Sequence, residues 1–145
     1  MIFKLQKMKA SLPVRIINFI GALLFFLFAW FQRNDIDPAV YYKPSTLDSA
    51  LWFVFYLAIG VILIVVNWKK IPMWLFIIGV LACLVEMVVT GPGLYQNLFG
   101  DESFNMTQTS MTSEDPRVEL SREFFGAVIA LVGVTWGFLQ HRKIR

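Results

Sequence analysis

Three places along this chain carry carboxylates in settings where they could do chemistry. Carboxylates brought together hold a cation, orient a polar ligand or serve as a general base. The first place is Gln32-Arg33-Asn34-Asp35-Ile36-Asp37-Pro38, directly after an apolar run. Asp35 and Asp37 alternate, as they do in acidic cation sites. The same residues also end a helix and start a turn. The second place is Glu119-Leu120-Ser121-Arg122-Glu123, and the third is Glu86, alone within an apolar stretch. Oxygen-only ligands suit Ca²⁺ or Mg²⁺ rather than zinc or copper. The candidate ligand-binding residues are therefore Gln32, Asn34, Asp35, Asp37, Glu86, Glu119, Arg122 and Glu123. Asp35, Asp37, Glu119 and Glu123 are the metal-ligand candidates.

The elements that must position these groups are membrane helices. The chain has 145 residues, 57% apolar and 16% charged, with mean hydropathy +0.63. A soluble domain is about half apolar and about a quarter charged. The balance excludes disorder, collagen and coiled coil. One cysteine excludes an internal disulfide, and one histidine excludes a multi-histidine metal centre. A helix needs about 20 mostly apolar residues to cross the hydrocarbon core. Four stretches meet this, at about 12–31, 49–68, 71–90 and 120–140. The expected fold is an all-α membrane protein, a four-transmembrane-helix bundle forming one domain over 1–145. Spans two and three, joined by Asn67-Trp68-Lys69-Lys70, are expected to be antiparallel neighbours. Gly91-Pro92-Gly93 is read as the stop of the third span. The polar loop that follows, to residue 118, reads as a solvated linker, with a lid over the acidic groups as the alternative.

Basic residues set the expected orientation. Lys4, Lys7, Lys9, Arg15, Lys69, Lys70, Arg142, Lys143 and Arg145 fall on one side, and Arg33, Lys43, Arg117 and Arg122 on the other. The richer side, with both termini, is expected in the cytoplasm, and the cell membrane is the expected location. The N-terminal run reads as a retained anchor rather than a cleaved leader. The basic residues are split among short juxtamembrane segments, so no nucleic-acid partner is inferred.

Small and polar residues at helical spacing mark the inward faces. They are Asn18, Ala22, Phe25, Ala29 and Gln32 in span one, and Tyr56 and Gly60 in span two. Span three offers Gly79, Ala82, Cys83, Glu86 and Thr90; span four offers Gly126, Ala130, Gly133 and Gly137. Glu86 is expected about 6 Å from the end of its helix, and a Glu86–Arg122 pair pinning two helices is the plain reading of its presence. Gly133 and Gly137 could instead join two copies of the chain. Cys83 reads as a packing residue and His141 as part of the basic end.

Gln32-x-Asn34-Asp35-x-Asp37-Pro38, with Tyr41 and Tyr42 after it, resembles the mark that closes the first helix in transmembrane family 220. Glu119-Leu120-Ser121-Arg122-Glu123-Phe124-Phe125-Gly126, with Ile129 beyond, resembles that family's second mark, an acidic entry to its last conserved helix. The resemblance runs from about Gly21 to Leu139. Glu86 and the 101–116 loop lie outside its marks. It implies a small multi-span protein with polar residues clustered on one face, and no agreed biochemical function.

The favoured function is a binding module whose acidic cluster, at the helix ends away from the cytoplasm, takes a cation or a small polar ligand. The alternative is a structural or assembly subunit in which the cluster only fixes helix packing. An enzyme ranks last, because the chain has no nucleophile elbow, phosphate loop, His-Glu-x-x-His or cofactor motif.

Overall fold

The structure, a computed structural model, describes residues 10–143. It contains four long helices: α1 (Leu12–Phe31), α2 (Thr46–Val65), α3 (Met73–Phe99) and α4 (Arg117–Lys143). All four are long and apolar enough to cross a membrane. Their outward faces carry residues such as Leu23, Leu27, Val88 and Val132, which in a bilayer meet acyl chains. Lys4, Lys7, Lys9 and Arg145, used in the orientation argument, lie outside the described residues.

The helix ends follow local chemistry. Pro13 stands in the first turn of α1, where a missing N–H breaks no helical bond. The Ser45 hydroxyl accepts the Asp48 N–H at 3.3 Å and caps α2. The Asn67 amide donates back to the carbonyls of Leu63 (3.1 Å) and Ile64 (2.9 Å), closing the other end of α2. The side chain thereby meets the Leu63 carbonyl and shares the Ile64 carbonyl with its own backbone N–H, which lies at 3.2 Å.

The third span is longer than its sequence suggests. α3 continues through Gly91-Pro92-Gly93 and ends only at Phe99. The reason is its neighbour. A Cβ on Gly93 would collide with Leu120 of α4, so the glycine serves close helix contact rather than a turn. Pro92 faces outward on this extension. Beyond it, Asn97 is wholly buried. Its amide donates to Ser121 Oγ (2.9 Å) and the Asn105 carbonyl (2.7 Å). Its oxygen accepts from Arg117 Nη1 (2.9 Å) and the Asn105 N–H (3.1 Å). α4 starts early, at Arg117, because this cluster fixes its first turn. At about 1.5 Å per residue, the 27-residue helices α3 and α4 are about 40 Å long, against about 30 Å for α1 and α2.

Packing forms two hairpins. α1 lies on α2 and α3 on α4, with α2 and α4 making the lesser contact between them. Spans two and three are consecutive in the chain but are not the close pair expected from their short link. The α3–α4 contact prevails because small residues bring those backbones together: a Cβ on Gly79 would stand 3.1 Å from Val134. Gly133 and Gly137 face inward as well. The first meets Phe25 and Ile59, and the second meets Ile62. Their surface is used within the chain, so the pairing of two copies through Gly133 and Gly137 finds no free face here.

A second polar network ties the hairpins together toward the start of α1 and the end of α4. Trp136 Nε1 donates to Asn18 Oδ1 (2.7 Å), and Asn18 Nδ2 donates to Asn67 Oδ1 (2.8 Å). Helices α1 and α4 and the end of α2 are thereby joined through amides that are fully buried. His141 Nδ1 accepts the Ile71 N–H at 3.1 Å, anchoring the α2–α3 link on α4. Asn18→Leu leaves the Trp136 indole without its acceptor and Asn67 without its donor. We expect this change to lower stability by about 1–2 kcal/mol, read as unfolding in mixed micelles.

Candidate functional site

At the end of the bundle opposite the start of α1 and the end of α4, here called distal, the shorter hairpin stops first. α1 closes in a 3₁₀ turn, Gln32–Asn34, and the chain crosses to α2. The crossing is a turn built by Asp37. Its carboxylate accepts the Ala39 N–H at 2.9 Å, and its carbonyl accepts the Tyr41 N–H at 2.9 Å. The Ser49 hydroxyl donates to the Gln32 carbonyl, joining the end of α1 to the first turn of α2.

Between these ends and α4 lies a cavity of about 650 Å³, within the range of small-molecule sites. Its apolar lining comes from Phe28 and Phe31 of α1, Trp52 and Tyr56 of α2, and Phe125 and Ile129 of α4. Gln32, Asp35, Asp37, Glu119, Arg122 and Glu123 supply its polar part. A recess of about 70 Å³ adjoins it, bordered by Asp35, Glu119 and Glu123 and also by Asp48. Gly126 keeps space beside Tyr56, since a Cβ there would lie 2.7 Å from the phenol oxygen.

Six of the eight residues singled out by sequence thus border one space. Asn34 closes the 3₁₀ turn, and its side chain lies outside the described residues. Glu86 does not border the cavity. Because α3 runs on to Phe99, Glu86 lies 13 residues, or about 20 Å, from the helix end rather than near it. The Glu86–Arg122 pair does not form. Arg122 Nη1 donates instead to the Met106 carbonyl at 3.0 Å. Among the described residues the ion pair is Arg117 Nε with Asp115, at 2.7 Å. Two further cations lie near the mouth: Lys43 borders the recess with its ammonium 4.8 Å from the Tyr42 ring, and Arg33 lies over the Trp30 ring at 3.3 Å and does not border the cavity.

The carboxylates differ in what they already hold. Asp35 accepts the Tyr41 hydroxyl at 2.6 Å, and Glu119 accepts the Tyr42 N–H at 2.7 Å. Asp37 serves its own turn. Glu123, half-buried, takes no hydrogen bond among the described residues. Among the described residues no three His, Cys, Asp or Glu side chains stand together as metal ligands. Asp35, Asp37, Glu119 and Glu123 border one cavity without converging on one point, because backbone and tyrosine donors hold three of them apart. Burial raises the Asp35 carboxyl above the ordinary 3.8, while the Tyr41 hydroxyl and the Arg122 charge draw it part of the way back. Burial, and then the Asp35 hydrogen bond, push the Tyr41 phenol upward.

The loop after α3 covers one side of the cavity. Met106, Gln108 and Met111 all face it, and Met111 is buried. Asn97, Arg117 and Arg122 hold the loop through the carbonyls of Asn105, Ser103 and Met106. Most of its residues stay exposed, but at Met106 and Met111 it is a cover over the cavity as well as a linker. Asp48, Tyr41 and the aromatic floor escaped the reading of charges. Ser45-x-x-Asp48 carried a capping signature, and Trp52 and Tyr56 are spaced as one helix face.

The profile of a family described as transmembrane family 220, helix, matches residues 24–139. No curated protein and no solved structure matches the chain.

Asp35 also sets a pH dependence. Its folded carboxyl binds a proton more readily than the unfolded one, so its contribution to stability is complete below pH 3.8 and is lost as pH rises through the raised folded value. Thermal melts across that range should decline for the wild type, and the Asp35→Asn variant should lose that part of the slope.

Proposed function

The chain belongs to transmembrane family 220, and from the architecture of its distal end we propose that the cavity binds a small amphipathic molecule with a positively charged head. The observation that carries this reading is the division of the cavity lining: aromatic and aliphatic side chains on one part, and Asp35, Glu119 and Glu123 against a single guanidinium, Arg122, on the other. A carboxylate bordering an apolar space is stabilised by a cation that brings its own hydrogen-bond donors. Glu123 is the group with that need, since it has no protein donor among the described residues. Trp52 and Tyr56 offer ring faces for the same charge. An organic ammonium satisfies this lining better than a bare Ca²⁺ or Mg²⁺, which requires several oxygens at one point.

The excess of lysine and arginine at the other end of the bundle supports placing the cavity on the side away from the cytoplasm. The alternative, a cluster that only fixes helices, accounts for Glu119 and Asp35, which do brace the Tyr41–Tyr42 segment. It leaves Glu123 and the cavity without a role.

Phenethylamine combines the two chemistries in a soluble probe, and phenethyl alcohol lacks the charge. At ten times its Kd, the amine should stabilise the purified protein by about 1.4 kcal/mol. The alcohol should give a smaller shift, and Glu123→Gln should remove the difference between the two. A shift with millimolar Ca²⁺ or Mg²⁺ and none with the amine would return the site to a metal ion. No shift with any of them would leave the packing role alone.

A further inference from the structure

The cavity has a side as well as a mouth. α1 and α4, which supply much of its wall, do not make a close helix pair; each packs mainly on its own hairpin partner. The wall residues on that side are also surface residues. Phe31 is 55% exposed, Phe125 41% and Ile129 39%, although all three border the cavity. In a helix that spans a bilayer, such exposure faces acyl chains rather than water. Exposed side chains of α1 and α4 thus form this side of the cavity, while Met106 and Met111 of the 100–116 loop line it elsewhere.

Resting on the amphipathic-site reading above, we propose that the occupant is a bilayer lipid entering sideways between α1 and α4, with a headgroup that joins a phosphate to a primary amine. Each part has a matching partner. Arg122 carries a planar fork of donors suited to phosphate, and only part of that fork is used by the Met106 carbonyl. Its charge is felt at Asp35, so cationic and anionic groups stand near one another at the cavity rim. The carboxylates of Asp35 and Glu123 suit an ammonium whose N–H groups can donate. The acyl chain would lie along Phe31, Phe125 and Ile129 and leave through the gap. A purely anionic headgroup satisfies Arg122 but meets an excess of carboxylates, and is disfavoured for that reason.

The test uses the full-length protein released from detergent and weighed by native mass spectrometry. The probes are phosphatidylethanolamine, phosphatidylglycerol and soluble phosphoethanolamine. Phosphatidylethanolamine should be retained as one molecule per chain, about tenfold over phosphatidylglycerol. Glu123→Gln should abolish the preference. Ile129→Trp, which narrows the gap, should reduce lipid retention and leave phosphoethanolamine binding in place; Phe125→Trp serves the same purpose if the first variant does not fold. Equal retention of the two lipids, or retention untouched by the gap variants and Glu123→Gln, would mean lipid held only on the outside of the bundle and would overturn the proposal. Binding of phosphoethanolamine without retained lipid would overturn sideways entry while leaving the amphipathic site standing. If neither probe binds and phenethylamine also gives no shift, both readings fall.

Discussion

Asn97 carries the architecture of the distal half. It is a fully buried amide, and such a group is costly to bury unless its donors and acceptor are met. Here they are met from three directions: Ser121 and Arg117 of α4, and the backbone at Asn105. Because those partners lie beyond the apolar part of α3, the helix must continue past its proline to deliver the amide to them. The same bonds fix where α4 begins and where the chain between the two helices runs. The cover over the cavity, and the site itself, depend on that one side chain being satisfied.

The other end of the bundle solves a different problem with the same chemistry. Two hairpins that pack mainly within themselves need something to hold them together, and in lipid the hydrophobic effect does not supply it. Asn18, Asn67 and Trp136 provide a directional tie from α1 through the end of α2 to α4. Between the tie and the cavity, close contact falls to glycine. Gly133 admits the Phe25 ring, and Gly60 lies against Phe26. Directional bonds at one end and close packing at the centre leave the distal end of the α1–α4 face open.

Much of this was legible in the sequence, because the bilayer restricts the possibilities. Four apolar runs of spanning length gave four helices, and the inward residues of α1 (Asn18, Ala22, Phe25, Ala29) follow from spacing alone. The grouping of Asp35 with Glu119, Arg122 and Glu123 followed from helix order. What failed depended on tertiary contacts that outweigh local preference. Gly-Pro-Gly is a strong stop signal on its own, but Leu120 packs on Gly93 and the helix continues. That continuation moved Glu86 away from the mouth and turned part of a presumed linker into a wall. Small-residue spacing in α4 identified a packing face correctly but gave no sign of whether the partner was the same chain or another. The tyrosine donors were quoted as part of a motif, while their role as ligands of Asp35 and Glu119 required coordinates.

The unequal heights of the two hairpins bear on the membrane itself. α1 and α2 are about as long as the hydrocarbon core is thick, and α3 and α4 are longer by roughly 10 Å. The added length is not bare apolar surface: α3 ends past the buried Asn97, and α4 begins with Arg117, Glu119, Arg122 and Glu123. One flank of the molecule therefore rises into the headgroup layer where the other stops. The polar layer around the molecule is directional, so its orientation within the membrane plane becomes a property that neighbouring headgroups can sense.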